Sequence, residues 1–159
     1  MTLALGIDPG TAATGYGLVR QQEDGSLLSE GFGVITTSKD SPAQDRLASL
    51  YQELQDLLRQ HRPDTAAVEK LFFQRNVSTA IAVGQARGVV LLALAQVGIE
   101  VYEYTPNEVK QAVSGYGSAA KRQMQEMVRV LLGLEDIPRP DDAADALAVA
   151  ITHLHTKRY

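Results

Sequence analysis

With 159 residues, 45% of them hydrophobic, the chain has apolar material for one compact core, and its lack of cysteine excludes disulfides and thiolate zinc sites. Its three histidines are too scattered to form a ligand cluster. No basic-flanked leader precedes an apolar run, and the longest such run, VVLLALAQV near residue 90, is short for a bilayer, so the expectation is a cytoplasmic protein with no membrane partner. The formal net charge of -4 shows none of the basic excess usual in nucleic-acid-binding domains.

Residues 3–8, LALGID, read as a short buried strand ending on Asp8. After the turn PGTAAT, the segments GYGLVRQ and LLSEGFGVITT alternate around an EDGS turn, which predicts an antiparallel meander of three strands. Ser41 as cap and Pro42 as first residue then predict a helix. Its apolar positions Leu47, Leu50, Tyr51, Leu54, Leu57 and Leu58 keep a 3.6-residue period, and it stops near His61. TAAVEKLFF reads as a strand with Glu69 near its end. NVSTAIAVGQARGVVLLALAQVG reads as a long helix capped by Asn76 or Ser78 and ended by Gly98.

VYEY is a further short strand, and TPNEVKQAV a short helix with Thr105 as cap and Pro106 first. AAKRQMQEMVRVLLG and DDAADALAVAITHLH are the last two helices, joined by LEDIPRP. Three antiparallel strands followed by alternating strands and helices predict one α/β domain over 1–159. Its five-stranded sheet is mixed, the later strands parallel, with helices on both faces. Ligands of such sheets gather at the carboxyl ends of the parallel strands.

Four acids follow that geometry. Asp8 and Glu69 end strands that lie side by side if both run parallel at the sheet centre, and two apposed carboxylates repel unless something positive sits between them. Lys70, the nearest basic residue to Glu69, points to the opposite face. In the last helix, Asp142 and Asp145 share a face at a spacing of three, and Asp141 and Asp145 share one at four, so spacing does not choose between Asp141 and Asp142. Either could instead cap the helix and complement its dipole. Oxygen-only donors suit Mg²⁺ or Mn²⁺ rather than zinc, and several carboxylates holding two such ions ~4 Å apart suit in-line phosphodiester chemistry.

The blocks GIDPGTAATGYG, AVEKLFFQRNVSTAIAVGQARG, VKQAVSGYGSAAKRQMQEMV and PDDAADALAVAITH, in that order, resemble the bacterial RuvC family of Holliday junction resolvases over nearly the whole chain. The resemblance implies a ribonuclease H-like fold and a homodimer. It also implies metal-dependent cutting of two opposed strands of four-way junction DNA in recombination and repair, leaving 5′-phosphate and 3′-hydroxyl ends. It further implies a branch-migration complex, RuvA and RuvB, as partner. By the match, the catalytic and metal-holding acids are Asp8, Glu69, Asp142 and Asp145. The chain departs from many relatives in carrying TAAT, with no basic residue, just after the glycine turn.

Setting those four acids aside leaves 15 acids against 15 Lys plus Arg, so DNA binding has to come from local basic patches. Arg75, Arg87, Lys110, Lys121 and Arg122 are the candidates, and the resemblance supports Lys110 and Lys121 as contacts to DNA or as support for the chemistry. It also suggests that Phe72 stacks on an unpaired base; alternation along FF buries one phenylalanine and exposes the other. Gly84 and Gly88, four apart in GQARG, allow another backbone to approach, within the fold or across a dimer seam in the helix from Asn76 to Gln96. His153 and His155 face different ways and are explained by the helix C-terminus, where a cation is favoured, rather than by metal. Two rivals share some of these features. An actin- or sugar-kinase-like ATPase also uses the DPGT turn but needs a duplicated fold, and a non-catalytic junction-binding module has no use for acids that repel phosphate.

Overall fold

The computed structural model describes residues 1–10, 12–70 and 77–157. Strands β1 (Thr2–Asp8), β2 (Ala13–Gln21) and β3 (Leu27–Thr36) form the expected meander. The order then runs α1 (Ala43–His61), β4 (Thr65–Glu69), α2 (Val77–Gln96), β5 (Val101–Tyr104), α3 (Pro106–Ser114), α4 (Lys121–Leu132) and α5 (Asp141–Thr156). All five strands join one sheet in the order β3-β2-β1-β4-β5, with β4 and β5 parallel to β1. One face carries α1 and α2 over Leu5, Ile7, Leu54 and Val90; the other carries α3, α4 and α5 over Ala4, Val19, Ala67 and Leu147.

Local chemistry sets most of these boundaries. At α3 the predicted cap is present as a reciprocal pair: the Glu108 N–H donates to Thr105 Oγ1 at 3.1 Å, and the Thr105 N–H to Glu108 Oε1 at 3.3 Å. At α1 the helix starts one residue later than predicted. Pro42 takes the cap position with an extended backbone and no side-chain capping bond, so Ser41 does not cap it. β4 stops at Glu69, with Lys70 already outside it, and Ser78 lies inside α2 and is not its cap. Asn76 and Leu71, Phe72 and Phe73 of the predicted strand lie outside the described residues.

The expectation that no segment is long and apolar enough to cross a bilayer is corrected by α2. This helix runs for 20 residues at a hydropathy of 1.6, with 22% of its most apolar window buried. Gly84, Gln85 and Arg87 break the apolar run in the sequence without lowering the mean below that level. One side of α2 is committed to the core through Ala86, Val90, Ala93 and Leu94.

The position of α5 depends on three glycines. A β-carbon on Gly6 would lie 2.1 Å from the Ala146 carbonyl oxygen, one on Gly15 2.0 Å from the Asp142 carbonyl oxygen, and one on Gly17 2.7 Å from Leu147. The α5 side of the contact is equally small, with Ala146 and Ala150 fully buried. Backbone therefore rests on backbone, and the first turns of α5 are drawn down onto the ends of β1 and β2. Gly15→Ala is expected to lift this end of α5, lowering stability by about 1–3 kcal/mol and separating the acids at the helix start from Asp8. Denaturant titration and metal titration of the same variant check both effects.

Candidate active site

Asp8 is the last residue of β1 and Glu69 the last of β4. The parallel register runs from Ala4 opposite Thr65 to Ile7 opposite Val68, and its next step sets Asp8 beside Glu69. The start of α5 adds Asp142 and Asp145 from above. Asp8, Asp142 and Asp145, all half-buried, each offer one carboxylate oxygen, and these oxygens lie within 4.8 Å of one another.

Burial, followed by the negative charges of Asp145, Glu69 and Asp142, pushes the Asp8 carboxyl up to about 8, and Asp8 is hydrogen-bonded to Asp145. Glu69 is raised by its burial and by Asp145, partly offset by Lys110. Asp145 is raised chiefly by burial, against the opposing pull of Lys121. These acids cannot all stay ionised near neutral pH without added positive charge. Their all-oxygen donor set fits a hard divalent cation, which would supply that charge.

The structure separates the neighbours that sequence spacing left tied. Asp142 joins Asp8 and Asp145, whereas Asp141 turns away, accepting from Lys121 Nζ at 3.0 Å and from Gln125 Nε2 at 3.1 Å. Asp141 is not a cap either: Pro140 holds that position, with no side-chain capping bond. The pair with Lys121 holds the Asp141 carboxyl below its ordinary range and raises the Lys121 ammonium.

Lys110 on α3 and Lys121 on α4 line one cleft with Glu69 and Asp145, so both predicted lysines stand at the acids. Arg122 is exposed on α4 and does not line that cleft. Arg87 belongs elsewhere, paired with Glu103 of β5 and largely buried, which corrects its reading as a free basic patch. Phe72, Phe73 and Arg75 lie outside the described residues. Beside the glycine turn, which has no basic residue of its own, Arg46 of α1 lines a small recess with Gly10 and Ala13 and donates from Nε to Thr37 Oγ1 at 3.1 Å.

His153 is explained by burial and not by the helix C-terminus. It is fully buried, its Nε2 2.7 Å from Thr65 Oγ1 and its Nδ1 2.7 Å from Tyr104 Oη, with Tyr102 stacked at 4.7 Å between ring centroids. Burial, with Lys157 nearby, drops it to about 4, so it is neutral where the expectation had a cation. It ties α5 to β4 and β5. Sequence reading missed this role, and it missed the glycines under α5. The GYG spacing in β2 facing an alanine-rich helix was the available signal for the latter.

A sheet of this order, with acids at the carboxyl ends of its central parallel strands and on the helix that crosses them, defines the class of ribonuclease H-like nucleases. The family model described as crossover junction endodeoxyribonuclease RuvC matches residues 4–153. The crossover junction endodeoxyribonuclease RuvC of Chloroflexus aggregans is 61% identical over 153 residues, covering 96% of this chain and 93% of the relative. Thermus thermophilus RuvC superposes with a TM-score of 0.89 at 41% identity over 96% of this chain and 93% of that one. The same organism's RuvC in complex with a Holliday junction substrate does so with 0.93 at 40% identity, over 98% and 94%. The chain belongs to the RuvC family.

The electrostatics have a testable sign. Asp8 ionises near 3.8 when its environment is ordinary and near 8 in the fold. In metal-free protein its carboxyl therefore favours folding fully at acid pH, and that contribution is lost as the pH rises from about 4 to about 8. Asp8→Asn removes the cost: in EDTA its melting temperature is expected to exceed that of the parent by several degrees at pH 9 and to match it near pH 4, at roughly 3 °C per kcal/mol. Calorimetry across that pH range decides it.

Proposed function

We propose that residues 1–159 form a single ribonuclease H-like nuclease domain that resolves four-way DNA junctions by paired cuts in opposed strands, in recombination and repair. The observation that carries this reading is the convergence of Asp8, Asp142 and Asp145 within 4.8 Å, beside Glu69, in a chain of the RuvC family. The complex of the Thermus thermophilus relative with a Holliday junction supports the substrate. Asp8, Asp142, Asp145 and Glu69 would hold Mg²⁺ or Mn²⁺, two ions per site. Held by these carboxylates, the ions would supply the positive charge that activates a water and stabilises a leaving 3′-oxygen, consistent with 5′-phosphate and 3′-hydroxyl products.

The protein's own groups do the remainder. The strand ends and α5 hold the carboxylates in fixed relation, so little reorganisation accompanies the charge that develops at phosphorus. Lys110 and Lys121 bring positive charge to the scissile strand, while Phe72, Arg75 and Arg122 are further DNA contacts on this reading. A branch-migration complex of the RuvA and RuvB type hands over the junction in the cytoplasm.

Paired cuts need two sites, and α2 supports a C2 homodimer. Val77, Ile81 and Leu92 are exposed along a stripe of α2 that also holds Gly84 and Gly88, and among the described residues nothing comes within 4 Å of where a β-carbon on either glycine would lie. Packing among the described residues thus leaves the GQARG glycines unexplained, whereas a second copy of the helix would fill the stripe. Ile81→Glu is expected to give monomers in sedimentation velocity at concentrations where the parent is dimeric.

The decisive experiment is a time course on a synthetic four-way junction and a matched linear duplex with Mg²⁺ or Mn²⁺. The parent is expected to cut the junction in opposed strands and spare the duplex. Asp142→Asn should slow cutting by roughly 100-fold or more, and Asp141→Asn far less, because only Asp142 lies among the clustered carboxylates. The reverse ranking overturns the assignment of α5. In EDTA gel shifts, Lys121→Ala should bind the junction more weakly than Asp8→Asn, since one loses attraction and the other repulsion.

A further inference from the structure

The loop between α3 and α4 has no part in the chemistry described above, yet it joins the helices that carry the two lysines at the acids. Residues 109–125 hold Lys110, Lys121 and Arg122 and no acid, in a chain whose formal net charge is -4. Val113 and Ala119 are buried and anchor the two ends of the loop. Gly115, Tyr116, Gly117 and Ser118 between them are exposed. Nothing among the described residues comes within 4 Å of where a β-carbon on Gly115 or Gly117 would lie, so the tip stands clear of the fold.

That tip carries an aromatic ring. Tyr116 is 44% exposed, and no other aromatic side chain among the described residues is exposed. Its hydroxyl has no hydrogen-bond partner among them. The backbone that presents the ring is nevertheless held in place. Ser114 Oγ donates to the Lys110 carbonyl at 2.6 Å and accepts from the Tyr116 N–H at 3.4 Å, while Gln111 Nε2 donates to the Gly115 carbonyl at 2.8 Å. Gly115 takes the left-handed conformation, φ 91°, that ends α3. These bonds fix where the ring emerges, so less ordering entropy opposes a contact made there.

We infer that Tyr116 contacts the DNA backbone outside the cut, its hydroxyl donating to a phosphate oxygen and its ring lying against the adjoining sugar. The inference rests on the junction-resolving reading above. An acid-free surface between lysines suits a polyanion, and a neutral hydroxyl adds a directional bond where the lysines add charge. Ser114, at the end of α3, stands about 6 Å along the helix axis from Lys110, about two base steps of duplex DNA. The phosphate at Tyr116 is therefore a different one from that at the acids. Such a contact fixes the register of the bound strand without reading its sequence.

Junction binding in EDTA tests it with Tyr116→Phe, which removes the hydroxyl and keeps the ring. The side chain is exposed, so the variant is expected to melt with the parent. It is expected to bind a four-way junction roughly three- to tenfold more weakly, as the loss of one hydrogen bond provides. Its plot of log affinity against log salt is expected to stay parallel to the parent's, because no cation is lost, whereas Lys121→Ala lowers the slope by about one. Methylphosphonates placed singly along the strand around the cut then locate the contact. At one position other than the scissile phosphate, the neutral group is expected to weaken the parent more than Tyr116→Phe by that same factor, and elsewhere the two lose equally. A Tyr116→Phe protein that binds as tightly as the parent, a changed salt slope, or equal losses at every position each overturns the Tyr116 contact and leaves the resolvase reading standing. A parent that binds the junction no better than a matched duplex overturns both.

Discussion

The arrangement of the site depends on how closely α5 lies against the sheet. Gly6, Gly15 and Gly17 remove the side chains that would hold the helix away, and Ala146 and Ala150 do the same from above. At that distance the helix start overhangs the ends of β1 and β2, and Asp142 and Asp145 reach Asp8. Larger residues at these positions would bury more apolar surface, at the cost of the distance on which the site depends. At the far end of α5, His153 fastens the helix to β4 and β5 through two short hydrogen bonds. The helix is thus positioned along its length by contacts that tolerate little change.

That packing concentrates negative charge in a half-buried place, which is unfavourable by itself. Asp8 is driven to about 8 by burial and by its neighbours, so the fold carries an electrostatic cost. The rest of the fold has to offset this cost, and a divalent cation relieves it directly. An acidic protein can bind DNA on the same logic, since its acids are gathered at the centre while Lys110 and Lys121 stand at the rim. Arg87, by contrast, is used up in a structural pair with Glu103.

Asp141 shows how neighbouring residues of one type take different work. One position from Asp142 on a helix is a rotation of about 100°, which carries the carboxylate off the cluster and over to α4. There it orders Lys121 and Gln125 on the wall of an apolar cleft. Asp141 and Asp142 share the first turn of α5, so the acid cluster and the polar contacts to α4 are held by one rigid element.

The sequence by itself determined the order and type of every element, the capping box at Thr105, the strand-terminal placement of Asp8 and Glu69, and, through four ordered blocks, the family. These are local properties of side-chain period and spacing, or a pattern spread over the whole chain, and neither needs three dimensions. The choice of Asp142 over Asp141 rested on resemblance alone until the helix phase relative to β1 was visible. Tertiary structure decided that Arg87 is an ion-pair partner, that His153 is neutral and buried, and that Gly84 and Gly88 meet no other described residue, while the cap of α1 fell to Pro42 and not to Ser41. The first three depend on what distant segments bring near: Glu103 for Arg87, Thr65 and Tyr104 for His153, and none of the described residues for the two glycines. Burial and partnership are long-range facts, and a one-dimensional pattern carries them only where its period reports a face.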